Sequence, residues 1–245
     1  MAAPLAYDFL ALALLCLAPG ALAWALRPDL RPAMARSALA ALPFAPTERL
    51  FYPTYWSPRF LFDLVETIGF GVEDLIFLAG LAAFTTAAYP FAFRRALVPR
   101  GPPSARRAFA RAGAVVALTL GAGLALVALG LPAIYACLAA MAGAALAVVL
   151  RRPDLLAPSL LGGLVSALVY GAICLLYEAL FPGVFRRVWH TEHFLGRFLL
   201  GLPLEELLYG WAAGSAASAF APFAFGFGFA PRPTAPPTGA GLSRR

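Results

Sequence analysis

The chain has 245 residues, 62% hydrophobic and 13% charged, with a net charge of +7 and a mean hydropathy of +0.80. A soluble fold of this length has too little interior to hide that much apolar surface, so the composition predicts a polytopic α-helical membrane protein. The apolar runs are continuous rather than alternating, which argues against a membrane β-barrel. All nineteen basic residues are Arg and fall between those runs, where orientation in the bilayer explains them better than nucleic-acid binding does.

In chain order, a first span is expected at 5–26. The small-residue stretch "ALAWA" would suit signal cleavage, but no basic segment precedes it and Arg27, Arg31 and Arg36 follow, so the span is read as retained. The next segment, 37–52, is weak and is broken by Pro43 and Pro46. A long apolar run covers 60–93, and "RRALVPRGPPSARRAFAR" (94–111) is a turn-rich loop carrying six Arg. Further spans are expected near 108–131, 133–150, 155–181 and 195–221, and the Pro/Gly-rich tail 231–245 is expected to be disordered.

Charge decides how 37–52 is counted. If it crosses, there are seven spans. Arg27, Arg31, Arg36, the 94–111 cluster, Arg151, Arg152, Arg232, Arg244 and Arg245 then share one side, against Arg49, Arg59, Arg186 and Arg187 on the other. That split obeys the positive-inside rule with the N-terminus outside and the C-terminus in the cytoplasm, in a cell membrane of bacterial inner-membrane type. Cys16, Cys137 and Cys174 lie inside apolar runs without CxxC spacing, and support neither a disulfide framework nor a zinc site.

The informative stretch is "GLPLEELLYG" (201–210), two adjacent carboxylates among leucines. It has an echo 132 residues earlier, without a gap. Residues 69–77 read "GFGVEDLIF", so Glu73 matches Glu205, Asp74 matches Glu206 and Phe77 matches Tyr209; Trp56 and Trp189 precede the two motifs at nearly equal distance. Such echoes predict duplicated halves. The expected organisation is a first membrane repeat over 1–107, an extra connecting span over 108–131, and a second repeat over 132–230. An odd insertion of this kind makes both motifs enter the membrane from the same side.

A lone carboxylate at a membrane helix centre costs roughly 2.5–3.5 kcal/mol on insertion scales. Near a helix start the cost is smaller, and Glu205 also suits a capping role behind Pro203. Adjacent helical residues point about 100° apart, so one acid of each pair is expected to face a cavity while its neighbour orients it or binds another helix. Glu66 and Glu73, seven apart, would share a face if the helix is continuous, with Asp63 nearby. Paired buried carboxyls can hold one proton near neutral pH and offer a general acid and a general base together.

No nucleotide loop, GxSxG or HExxH accompanies them, and "HTEH" with His190 and His193 supplies too few ligands for a metal on its own. No cofactor and no metal are expected. Proton-in, proton-out chemistry on a lipid-soluble molecule fits best. Aromatic residues, foremost Trp56, Trp189, Phe77 and Tyr209, would line the pocket and stabilise a cation.

At these residues the sequence resembles the small membrane lycopene cyclases of the heterodimeric bacterial and fused fungal type. Their motif is Pro-x-Glu-Glu or Pro-x-Glu-Asp at the head of a membrane helix, once per three-helix repeat. "PLEELLY" (203–209) matches it; "GVEDLIF" (71–77) departs by Gly71 in place of Pro; "YWSPRFLF" (55–62) is also family-like. The resemblance implies cyclisation of the end group of an open-chain carotenoid to a β- or ε-ring. Glu205 and Glu206 would be the leading acid and base, then Glu73 and Asp74. It also implies an isoprenoid substrate held among membrane lipids, and homo- or hetero-oligomers with other carotenoid enzymes. Two alternatives remain: a carotenoid- or isoprenoid-binding subunit without catalysis, and a relative of the glutamate-type intramembrane proteases. The latter pattern, EExxxR, fails here because Gly210 occupies the Arg position.

Overall fold

A computed structural model describes residues 7–102, 104–191 and 194–232. His193 and all but the first two residues of the 231–245 tail lie outside the described residues. The fold is an all-α membrane bundle. Its long helices are α1 (Asp8–Leu26), α4 (Val72–Ala92), α5 (Ala105–Ala128), α6 (Ala133–Arg151), α7 (Leu156–Leu180) and α9 (Leu204–Phe225); α2 (Arg31–Ala41), α3 (Leu64–Ile68) and α8 (Val184–Val188) are shorter. Two small ladders complete it: β1 (Arg95–Pro99) with β4 (Phe227–Pro231), and β2 (Phe198–Leu199) with β3 (Leu202–Pro203). Five helices among the described residues are long and apolar enough to cross a membrane: α1, α4, α5, α6, and α7 with its leading turn.

Two expectations change in detail. Segment 37–52 is not one long helix. It is the end of α2 followed by a 3-10 helix over Leu42–Leu50, in which Pro43 and Pro46 remove amide donors that an α-helix would use. The run 60–93 is also interrupted. Gly69, at φ +86°, ends α3 in the left-handed region, and α4 starts afresh at Val72. Glu66 and Glu73 therefore do not share a continuous helix face. Glu66 instead accepts the Tyr52 hydroxyl at 2.8 Å on the surface.

The packing is repeat-like. α4 and α9 run in the same direction, and of three contacts between them and their flanks, the first two join positions that the sequence echo had matched. At one end Trp56 and Trp189 form an antiparallel bridge, in which Ser57 N–H donates to Val188 O and His190 N–H to Tyr55 O. One turn into the helices, Phe77 stacks on Tyr209 with ring centroids 6.2 Å apart. At the far end β1 pairs with β4, Arg95 opposite Pro231 and Pro99 opposite Phe227. Outside the ladder, Arg100 N–H donates to Gly226 O and Arg232 N–H to Arg94 O. Each bond has a mirror-equivalent, as across a two-fold axis running along the bundle.

A second echo supports the same frame. α1 and α6 both end in an Arg that is followed by a Pro-Asp-Leu turn, Pro28–Leu30 and Pro153–Leu155. In each, the guanidinium clamps its Asp through two bonds: Arg27 to Asp29 at 2.9 and 2.7 Å, Arg152 to Asp154 at 2.8 and 2.7 Å. Arg27 is the deeper of the two and also donates to Pro90 O and Arg95 O; Arg152 donates to Phe227 O. Both thus tie a helix end to the β1–β4 ladder.

Removing Arg27 strands two carbonyls and the Asp29 charge. Arg27→Ala should therefore cost about 3 kcal/mol, and Arg152→Ala, whose side chain is more exposed, distinctly less. Thermal melting of the two detergent-solubilised variants compares them. The Arg27 guanidinium holds the Asp29 carboxyl below its ordinary value of 3.8. The folded-state value is thus depressed, so the pair's stabilisation is present above pH 3.8 and is lost as pH falls through the lowered value.

Close approach of small residues holds the long helices. Between α7 and α9, a Cβ added at Gly162 would meet Ser218 Cβ at 2.7 Å, and one at Gly214 would run into Ser166. Between α1 and α4, a Cβ at Gly80 would sit 3.0 Å from the Cys16 backbone. Backbones at this spacing gain van der Waals contact that lipid cannot match. By contrast α5 has no buried residue and lies on the outside, against α6 and α9.

Candidate active site

The acidic pairs open α4 and α9, where the first-turn amides favour an anion. Within each pair the two carboxyls part company, as a 100° step requires. Glu73 and Glu205 point back to the loops that precede their helices. Glu73 Oε1 accepts Leu61 N–H, and Glu205 Oε1 accepts Leu195 N–H at 3.0 Å and the Tyr135 hydroxyl at 3.1 Å. Both are fully buried and leave Oε2 without a protein partner. They fasten loops.

Asp74 and Glu206 turn the other way, onto the wall of a largely apolar cavity of about 270 Å³. It lies between α4, α5, α6, α9 and the 37–56 segment, and Trp56, Trp189, Phe77 and Tyr209 share its wall. Six of the eight residues singled out from the sequence therefore converge on one space; Glu73 and Glu205 stand behind it.

The difference between Gly71 and Pro203 now has a structural meaning. Gly71 N–H donates to Asp74 Oδ2 at 2.7 Å, which ties Asp74 to its own helix start. Pro203 has no N–H, so Glu206 makes no such bond. It is held by side chains instead. Oε1 accepts the Tyr55 hydroxyl and Trp189 Nε1, each at 2.8 Å, and Oε2 accepts the Tyr170 hydroxyl at 2.8 Å. All three donors are buried, at 4%, 3% and 1% exposure. Three neutral donors around a buried carboxyl fix its direction.

The other side of the Trp pair carries an acid that the sequence reading missed. Glu48, at 8% exposure on the 3-10 helix, accepts Trp56 Nε1 at 2.6 Å and shares the cavity wall with Asp74. Trp56 and Trp189 lie with ring centroids 5.0 Å apart, so one indole serves each carboxyl station. Tyr55 and Tyr170 were also not singled out. Tyr55 adjoins the echoed Trp56, which could have flagged it; Tyr170 sits in an apolar run with no local signal.

Among the described residues no group of three or more His, Cys, Asp and Glu is arranged to hold a metal ion. His190 faces the Ser57 hydroxyl at 2.9 Å.

Neither the curated proteins nor the solved structures contain a match to this chain. The family model for lycopene cyclase matches residues 132–224, which take in α6, α7, α8 and nearly all of α9 with Glu205 and Glu206. Over that stretch, which is less than half of the chain, the protein is similar to the lycopene cyclase family, in line with the resemblance read from its motifs.

Proposed function

We propose that the chain is a carotenoid end-group cyclase. An acid in the cavity adds a proton to the terminal double bond of an open-chain carotenoid. An internal double bond attacks the resulting cation and closes a six-membered ring. A carboxylate then removes a ring proton, leaving a β- or ε-ring and no net redox change. The observation that carries this reading is Glu206, a buried carboxyl fixed by Tyr55, Tyr170 and Trp189 on the wall of an apolar, aromatic cavity. The indole and phenol faces around it suit a carbocation, which has no hydrogen bonds to offer.

The same reading assigns seven crossing segments in two related halves, with α5 as the added one. α2 and the 3-10 helix together rise about 34 Å, enough for a hydrocarbon core of about 30 Å. The β1–β4 end, with Arg27, Arg95, Arg100 and Arg152 around it, is the cytoplasmic end. The substrate enters from the lipid phase.

Expression in a lycopene-producing bacterial host tests the proposal. The wild type is expected to yield a cyclic product of unchanged mass. Glu205→Gln, which alters a loop fastening rather than the cavity wall, should keep at least roughly a tenth of that activity. An inserted wild-type protein that retains lycopene yet forms no ring would overturn the enzymatic reading in favour of a binding subunit.

A further inference from the structure

Glu48 belongs to neither acidic pair and lies outside the residues that match the family model. It comes from a segment broken by two prolines, yet it is buried on the cavity wall with Asp74 and Glu206. Two buried carboxyls on the wall of one apolar cavity are not readily both ionised, so the pair holds a proton. Asp74 already accepts Gly71 N–H in the first turn of α4, so its anion is the better stabilised of the two. Glu48 has one donor, the Trp56 indole, and no helix start beneath it. The shared proton therefore resides on Glu48. Ser37 Oγ, buried without a protein partner, marks the same wall as a place where a polar group is still unmatched.

Resting on the cyclase reading above, we propose that Glu48 is the proton donor of the reaction, with Asp74 as its partner and Glu206 as the counter-anion and base across the Trp56–Trp189 pair. The Glu48 proton and the π pair of the terminal double bond form a new C–H bond, leaving a tertiary cation. The π pair of the internal double bond forms the ring C–C bond and moves the cation into the ring. Glu206 takes the adjacent ring proton, and the freed C–H pair becomes the ring double bond. Return of that proton from Glu206 to the Glu48–Asp74 pair resets the site, so no co-reactant is consumed.

The division suits the neighbours. A carboxyl beside a second carboxyl holds a proton ready, whereas one gripped by three donors is fixed in direction to receive one. The two Trp faces between the stations lie where positive charge would develop.

The test uses the full chain in the lycopene-producing host, with wild type, Glu48→Gln and Glu48→Asp compared for cyclic product, for lycopene retained on the purified protein, and for melting temperature. Glu48→Gln is expected to lower product roughly 100-fold or more while keeping bound lycopene, since its carbonyl still accepts the Trp56 indole. Glu48→Asp should recover at least roughly ten-fold over Gln, because it restores a proton that a merely structural role would not need. If Glu48→Gln unfolds, Asp74→Asn decides: its amide donates to Glu48, discharges the acid, and should cut product similarly. A wild type that cyclises beside a folded, lycopene-loaded Glu48→Gln with more than a tenth of its activity overturns this assignment alone. A wild type that never cyclises overturns the cyclase reading, and this assignment with it.

Discussion

Glu206→Gln is expected to abolish ring formation, by roughly 10²–10⁴-fold, while the protein still inserts and melts near the wild-type temperature. The two outcomes separate because glutamine keeps the shape of glutamate. Its carbonyl still accepts the Tyr55 hydroxyl and the Trp189 indole. Its amide can donate to the Tyr170 oxygen once that hydroxyl rotates. Only the charge and the basicity go. Glu206→Ala tests the other half of the argument. It leaves three buried donors without an acceptor, each worth about 1–3 kcal/mol, so it should fail in folding as well as in chemistry. Pigment extracts and detergent melting curves read both. Cyclic product above a tenth of wild type from Glu206→Gln would remove Glu206 from the reaction.

Gly214→Leu should be the most damaging substitution outside the cavity, at about 3 kcal/mol or more. The added Cβ would collide with the Ser166 side chain and sit 3.0 Å from the Gly162 carbonyl oxygen, and one of these obstacles is helix backbone. α7 and α9 would have to separate, and the Tyr170–Glu206 bond crosses that seam. Gly121→Leu is the matched control. It lies on α5, and a Cβ there meets nothing within 4 Å. Its melting temperature should stay within the range of ordinary surface changes. Equal melting of the two variants would show that the α7–α9 contact does not hold the bundle together.

The membrane class was legible because it rests on composition, which no tertiary contact can alter. The split between neighbouring acids was legible too, since a 100° step per residue is a property of any helix. Glu205 and Glu206 do face different partners. The path of 37–52 was harder. Hydropathy counts apolar residues but cannot tell one α-helix from an α-helix that tightens to 3-10 at Pro43. Glu48 was missed for a related reason. It stands alone beside Arg49 in the sequence, and what distinguishes it is its place on the cavity wall with Asp74, 26 positions away. The Arg-Pro-Asp-Leu turns are plain in the sequence, but counting each Arg as an orientation charge hid that Arg27 and Arg152 are structural clamps. Nothing local announces the β1–β4 ladder, because its partners lie far apart in the chain, at 95–99 and 227–231.

The mirrored bonds around Trp56, Trp189, β1 and β4 resemble those of two identical subunits meeting on an axis, here within one polypeptide. In an assembly of identical chains, every replacement appears on both sides at once, and a centre on the axis is condemned to be even-handed. A joined chain escapes that rule. Pro203 can release one acid to three side-chain donors while Gly71 keeps its counterpart tied to the helix start. Glu48 can join the cavity wall on one side only, for the acid nearest its matching position, Glu178, accepts the Gly183 and Phe185 amides instead. Covalent joining thus lets an otherwise balanced scaffold carry different groups on its two sides.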